Sequence, residues 1–379
     1  MRVLQITKYY SPHIGSIETA VKTLVDTIKD YADISVLSCQ EKGLAVSDII
    51  DDTIITRSNT ITDIHDEPIS FGFINDFKDF SKRADIVHIH LPFPLASLAF
   101  FLSKFKGKIV ISWYYDTKSI LLKPLVWSLL SKAHCIIAPS QKLIDTSEFL
   151  GDFRDKCKVV PLSVNIEKYE KTDTYPLLTE KLRYPHNKKI LFVGRLTASK
   201  GIEVLLSAFK HINGGELFIV GQGNLLNDLK VYSEINKMGE KIHFLGILDD
   251  EDLYSAYADC DFSVFPSVSD ENFGIVQLEA MVFGKPVINT DLPTGVAEIS
   301  LDKLTGITVP VNDVLALAGA MQKLINDEEL VRLMGLNSYK RVRQLYSAEK
   351  NMKEIFDVYC SLISGIEIAP AEKQKRIIN

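Results

Sequence analysis

The sequence predicts an α/β protein of two doubly wound, parallel-sheet domains, and three observations predict it. Short apolar runs alternate with longer segments of helical period from Arg2 to Val160. The texture then breaks over residues 168–189, which are polar, carry Pro176 and Pro185 and show no strong period. A second alternating series begins at Ile190 and reaches Val309. Alternation of this kind builds βαβ units, whose strands pair in parallel. At about 150 residues per domain, a chain of 379 residues suits two domains.

In order, residues 2–7 read as a strand, 9–16 as a loop and 17–31 as a helix with Ile17, Ala20, Val21, Leu24 and Ile28 on one face. Residues 34–38 are the second strand, and 40–67 give no clear element. Asp85-Ile86-Val87-His88-Ile89-His90 is the next strand, after which Pro92 and Pro94 break the chain. Residues 95–102 read as a helix, 108–112 as a strand, 121–131 as a helix and 135–138 as a strand, and Pro139-Ser140 opens another helix. In the second series strands fall at 190–193, 217–220, 242–245, 262–265, 287–289 and 307–309, with helices between them. Residues 316–325, 329–346 and 350–363 are terminal helices, and the charged tail 371–379 is expected to fray. The domains are placed at 1–170 and 171–349, and two such halves on a short linker predict a cleft between them.

Composition narrows the function. The net charge of −6 gives no reason to expect a nucleic-acid partner. Residues 101–144 run the other way, with lysines at 104, 106, 108, 118, 123, 132 and 142 against the single acid Asp116. That segment is either a solvated basic face or a contact for an anionic partner, a membrane surface or a phosphate-bearing acceptor. Five cysteines at 39, 135, 157, 260 and 360 form no CxxC pair, which fits a reducing cytosol and small buried side chains. The opening residues turn polar too quickly for a signal peptide. The longest apolar stretch, 91–102, falls short of the ~20 residues that span a bilayer. The expected location is cytoplasmic, with any membrane contact peripheral.

The chemistry concentrates in the second half. Residues 266–295 carry Glu271 and Glu279, separated by seven residues. Glu271 follows the strand 262–265, at the C-terminal edge where open α/β sheets bind ligands, and Glu279 lies within a helix read over 273–283. Gly274 removes a side chain near that helix start, where backbone amides can meet an anion. Arg195 and Lys200 stand in the loop after the strand 190–193, and two fixed cations there suit a diphosphate, or else are two solvated loop cations. Gly221-Gln222-Gly223 is a poor dinucleotide fingerprint, because Leu226 stands where the third glycine belongs, and reads as a tight turn. Gly15 precedes a helix start and is either a phosphate-binding amide or a turn glycine. His88 and His90 share one face of a strand without a third metal ligand nearby, so no metal is expected, and His90, at the strand end, is the better cleft candidate. Neither a G-x-S-x-G elbow nor a P-loop is present.

Five pieces spread along the chain resemble one family: residues 12–18, the strand 85–90, Trp113-Tyr114-Tyr115-Asp116, Gly194-Arg195 with Lys200-Gly201, and Glu271 with Glu279. Together they resemble the retaining glycosyltransferases of family 4, of GT-B fold. Leu292-Pro293-Thr294-Gly295 and the run 88–96 resemble the branch associated with bacterial O-antigen and polysaccharide mannosyl transfer. The resemblance implies two Rossmann-like domains facing across a cleft, the first binding the acceptor and the second a nucleotide-sugar donor, with a C-terminal helix at about 350–364 returning to the first. It implies that Arg195 and Lys200 hold the diphosphate without a metal, that Glu271 with the backbone of Asn272, Phe273, Gly274 and Ile275 holds the sugar, and that Glu279 binds the ribose. Gly15 and Ser16, which stand where the family usually has Gly-Gly, would meet the phosphate, and His90 and Tyr114 would lie at the sugar. Tyr114 stands where this branch usually has a histidine.

The implied function is transfer of a hexose, first mannose from GDP-mannose, to a lipid-linked bacterial glycan, with no cofactor. Three alternatives remain open: an inactive nucleotide-sugar-binding subunit, a UDP-sugar-using family 4 transferase, and a nucleotide-sugar epimerase.

Overall fold

Buried parallel strands expose neither face to water, so their sequences run apolar without alternation. Such runs organise both halves of this chain. A computed structural model describes residues 1–13, 15–64, 67–116, 123–170, 188–269, 271 and 273–365. Most of the expected linker, the tail 371–379, Lys118 and Asn272 lie outside the described residues.

The described chain divides into two units, Met1–Ser163 with the residues from Ala348 onward, and Val164–Ser347. The first unit carries β1 (Arg2–Ile6), β2 (Asp33–Cys39), β3 (Val46–Ile50), β4 (Thr53–Ser58), β5 (Thr62–Ile64), β6 (Glu67–Ile69), β7 (Ile86–Leu91), β8 (Lys108–Trp113), β9 (Cys135–Ala138) and β10 (Cys157–Val159). Eight of these form one sheet in the order β10-β9-β8-β7-β1-β2-β4-β3, parallel except for the β3–β4 hairpin, while β5 and β6 pair separately.

Residues 40–67 were unreadable as sequence for a physical reason: every residue of β3 is exposed, so its side chains carry no burial pattern. The hairpin turns through Asp51 and Asp52, at φ 48° and 62°, where a two-residue turn demands the left-handed region. The helix Phe71–Ser81 was not anticipated, although Ser70 caps it by accepting from the Phe73 amide at 3.0 Å. Pro94 does not break the chain; it occupies the first turn of the helix Pro94–Ser103, where its missing N–H costs nothing.

Apolar clusters line both faces of this sheet, one holding Phe73, Phe93, Trp113 and Phe149, the other Val21, Leu24, Val36 and Val110. The helix Ala348–Ser364 adds Met352, Ile355, Val358 and Tyr359 to the second cluster and packs along the helix Ser16–Ile28.

The second unit contains β11 (Lys189–Val193), β12 (Glu216–Val220), β13 (Ile242–Gly246), β14 (Phe262–Phe265), β15 (Val287–Thr290) and β16 (Gly306–Val309). They form one wholly parallel sheet in the order β13-β12-β11-β14-β15-β16. Asp249, Asp313 and Asp327 cap three of its helices by accepting from the amides of Asp252, Ala316 and Leu330, each at 2.9 Å. Among the described residues no helix is long and apolar enough to cross a membrane.

Candidate functional site

In the second unit the chain reverses its direction of winding between β11 and β14. The crevice beyond their C-terminal ends is where a doubly wound sheet binds its ligand. Arg195 and Lys200 leave β11 there, and Glu271 follows β14.

Two contacts fasten these loops together. The Ser199 carbonyl accepts from the amides of Val268 at 2.9 Å and Ser269 at 3.3 Å. Gly201, at φ 66°, lies so close to β14's exit that a Cβ would collide with the Pro266 carbonyl oxygen. The approach brings the Lys200 ammonium into an ion pair with the Glu271 carboxylate, with side chains 18% and 11% exposed. The same ammonium stands 5.8 Å from the centroid of the Phe265 ring. The pair uses one of three lysine N–H donors and one carboxylate lone pair, so both groups keep capacity for a ligand. Arg195 is exposed and presents its planar fork to solvent.

Gly221-Gln222-Gly223 does more than turn the chain. A Cβ at Gly221 would collide with the Gly194 carbonyl, and one at Gly223 with the Leu196 backbone. The loop after β12 thus packs directly on the Arg195 loop and bonds it, with the Leu196 amide donating to the Gln222 carbonyl at 2.9 Å. Such support leaves no mark in a fingerprint, because it depends on which backbone each glycine approaches in space.

The helix bearing Glu279 runs over Ile275–Val282, two residues later than the expected start. Gly274 sits at φ 86° and is not helical, and a Cβ there would fall 2.8 Å from Phe265 Cζ. The Phe273 ring is buried beside Tyr346, and Ile275 is buried too, so these two residues offer the site their backbone alone. The first-turn amides of the helix have no partner within it. Gln277 and Asn289 brace the neighbouring loop: Gln277 Nε2 donates to the Val296 carbonyl at 3.1 Å, and Asn289 Nδ2 to Gln277 Oε1 at 2.9 Å. Glu279 accepts from the Tyr257 hydroxyl at 2.8 Å and the Tyr169 hydroxyl at 3.3 Å. Burial pushes its carboxyl above the usual range, against those two hydrogen bonds and the Lys168 charge. Neither tyrosine was a sequence candidate, and no local pattern marks them.

In the first unit Gly15 caps the helix Ser16–Ile28 in an extended conformation, and Ser16 is its exposed first residue. The Glu18 carboxylate, the end of a flexible side chain, folds over Gly15. Burial raises its pKa, while its own amide, His13 and Lys8 oppose the shift.

His90 and Tyr114 come together in the first unit. Both are buried, and the Tyr114 hydroxyl turns inward to donate to His90 Nδ1 at 2.9 Å. His90 Nε2 then donates to Gln5 Oε1 at 2.9 Å. Gln5 Nε2 donates to the Tyr359 hydroxyl at 3.1 Å, and Tyr359 donates to His88 Nδ1 at 2.5 Å. His88 Nε2 donates to Ser112 Oγ at 2.8 Å. The six side chains form one neutral buried chain of hydrogen bonds in which each imidazole gives one and takes one. Burial pushes His90 down to about 3 and His88 well below its ordinary value. Asp116 is likewise an anchor, accepting from Trp113 Nε1 at 3.0 Å and Ser147 Oγ at 2.6 Å.

The lysine-rich segment also differs in detail from the sequence expectation. Phe100 is buried and Phe101 and Phe105 pack against the core. Among the described residues of this stretch, Leu98, Leu102, Tyr115 and Trp127 reach solvent, and Lys104 and Lys106 are exposed.

Residues 17–168 match the family described as Glycosyltransferase Family 4, and residues 178–341 the family described as Glycosyl transferases group 1. The chain is 29% identical to O-antigen chain mannosyltransferase C of Escherichia coli, covering 96% of this chain and 100% of that protein. It is 30% identical to D-rhamnosyltransferase WbpZ of Pseudomonas aeruginosa, covering 92% and 93%. Among solved structures, sucrose-phosphate synthase from Thermosynechococcus elongatus superposes with a TM-score of 0.79 at 20% identity, covering 96% of this chain and 99% of that one. Anabaena HepE in complex with UDP superposes with a TM-score of 0.75 at 17% identity, covering 95% and 100%.

Proposed function

Because this chain belongs to the glycosyltransferases of family 4, with the GT-B fold, we propose that it moves a hexose from a nucleotide sugar to a growing, lipid-linked bacterial surface glycan. The first donor is GDP-mannose and the transfer retains the anomeric configuration. The observation that carries this reading is the Lys200–Glu271 pair at the switch point of the second sheet, beside the exposed Arg195. The O-antigen mannosyltransferase relative supports the sugar and the polymer.

In the proposed reaction the bond from the anomeric carbon to the donor phosphate breaks as the acceptor oxygen bonds that carbon from the same face. A phosphate oxygen takes the acceptor proton, and the nucleoside diphosphate leaves. Charge grows on the diphosphate as it departs, so Arg195 and Lys200 stabilise the transition state more than the bound donor and supply that charge without a metal. Glu271 and the amides at residues 273–275 orient the sugar, and Glu279 holds the ribose. The inward Tyr114 favours one second reading, a donor-binding subunit without chemistry. The rhamnosyltransferase relative favours another, transfer of a deoxyhexose.

Release of free nucleotide from GDP-mannose, GDP-rhamnose, UDP-glucose and UDP-galactose, with and without a lipid-diphosphate-linked saccharide, tests the proposal. Acceptor-dependent release of GDP from GDP-mannose is expected. No release from any donor supports the subunit, release from another donor alone moves the assignment to that sugar, and conversion without acceptor points to an epimerase.

The protein is proposed to act at the cytoplasmic face of the inner membrane, on the face bearing Leu98, Leu102, Lys104 and Lys106. Reversing Lys104, Lys106 and Lys108 to Glu should lower co-sedimentation with vesicles containing phosphatidylglycerol by about 100-fold, at about 1 kcal/mol per basic residue. Unchanged partitioning would sink this part of the account.

A further inference from the structure

We propose that Tyr169 is a positioning residue for donor binding, holding Glu279 in the orientation that receives the ribose. The inference rests on the ribose role given to Glu279 above.

Tyr169 lies in the helix Ile166–Glu170, just after the chain enters the second unit at Val164. Its ring packs on Tyr254 at 4.8 Å between centroids and edge-on against Phe283 at 5.9 Å. The preceding Lys168 pairs with Asp250 at 2.8 Å and stands over the Tyr254 ring at 5.6 Å. A five-residue helix is too short to hold itself, so these contacts fix where the Tyr169 hydroxyl lies.

That hydroxyl meets Glu279 Oε1, while the Tyr257 hydroxyl meets Oε2. Burial raises the pKa of both phenols, so both remain protonated and donate. Each carboxylate oxygen therefore has one direction filled and another left for a ligand. Two adjacent hydroxyls, as on a ribose, match two oxygens so arranged. Burial raises the carboxyl's pKa, and the two tyrosines work against that rise. Lys168 helps them, while the charge of Asp250 opposes them.

Tyr169→Phe removes the hydroxyl and keeps the ring, so packing survives. Calorimetric titration should show GDP binding weakened by about tenfold, the lower end of what losing one hydrogen bond to a charged group costs. Inorganic pyrophosphate, which has no ribose, should bind the variant as it binds the wild type. The donor KM should rise with kcat little changed. The acid limb of GDP binding should move to higher pH, because a carboxylate that loses a donor is protonated more easily. A residue that only packs would move neither the pyrophosphate comparison nor the pH limb.

Glu279→Ala run alongside separates the two ideas. If it leaves GDP binding unchanged, the ribose role itself is wrong and this inference falls with it. If it weakens GDP binding while Tyr169→Phe matches the wild type at every pH, the ribose role stands and the part given to Tyr169 is overturned.

Discussion

Replacing Lys200 with alanine should lower kcat/KM for sugar transfer by about 10²- to 10³-fold, the usual effect of removing one preorganised group from a site of developing charge. The lysine is fixed before the reaction by the turn that Gly201 allows, by the Ser199 carbonyl bonds to Val268 and Ser269, and by Glu271. Little reorganisation is then needed when the diphosphate leaves. Alanine also strips Glu271 of its cation, so the sugar loses its partner's orientation along with the phosphate's charge. Lys200→Arg should recover part of the rate, since charge returns with a different reach. Steady-state assays with the best donor measure both variants. A Lys200→Ala enzyme within about threefold of wild type would remove the lysine from the leaving-group role.

Acidification should cost the first unit about 4 kcal/mol of stability between pH 7 and pH 5, drawn from His88 and His90. Both side chains are fully buried in the hydrogen-bonded chain with Gln5, Ser112, Tyr114 and Tyr359 and stay neutral when folded. An unfolded histidine takes a proton near pH 6.5, whereas folded His90 does so at about 3 and His88 far below its ordinary value. The unfolded chain thus binds more protons throughout that window. The stabilisation is complete above about pH 6.5 and is lost as pH falls toward the folded values, at about 1.4 kcal/mol per unit for each histidine. Glu18 and Glu279 act in the opposite sense, because burial raises their carboxyl pKa. The histidine share is therefore read by difference, from urea unfolding of wild type and His88→Asn at several pH values. The variant should lose about half of the histidine-driven slope. Equal slopes would show that His88 is not held neutral.

The two sheets were legible because buried parallel strands leave unmistakable apolar runs, such as Ile190-Leu191-Phe192-Val193, and the loops that follow them carried Arg195, Lys200 and Glu271 in plain view. The pairing of Lys200 with Glu271 was not legible, since it depends on a glycine approaching a backbone carbonyl 65 positions away. Tyr169 and Tyr257 escaped for the same reason: they reach Glu279 only through packing across helices. Position along a strand says which face His90 takes but not what it meets there. Here it meets Tyr114, Gln5 and His88. Exposed β3 and the short helices lay outside the reach of periodicity altogether.

The central claim is that the switch point of the second sheet is a nucleotide-sugar donor site in which Glu279 serves the nucleotide and Glu271 the transferred sugar. One measurement tests it most directly: nucleotide binding and transfer rate determined side by side for Glu271→Ala and Glu279→Ala. The account predicts that Glu279→Ala weakens GDP binding, while Glu271→Ala binds GDP nearly as wild type and loses most of its turnover. Full transfer activity in both variants would contradict it.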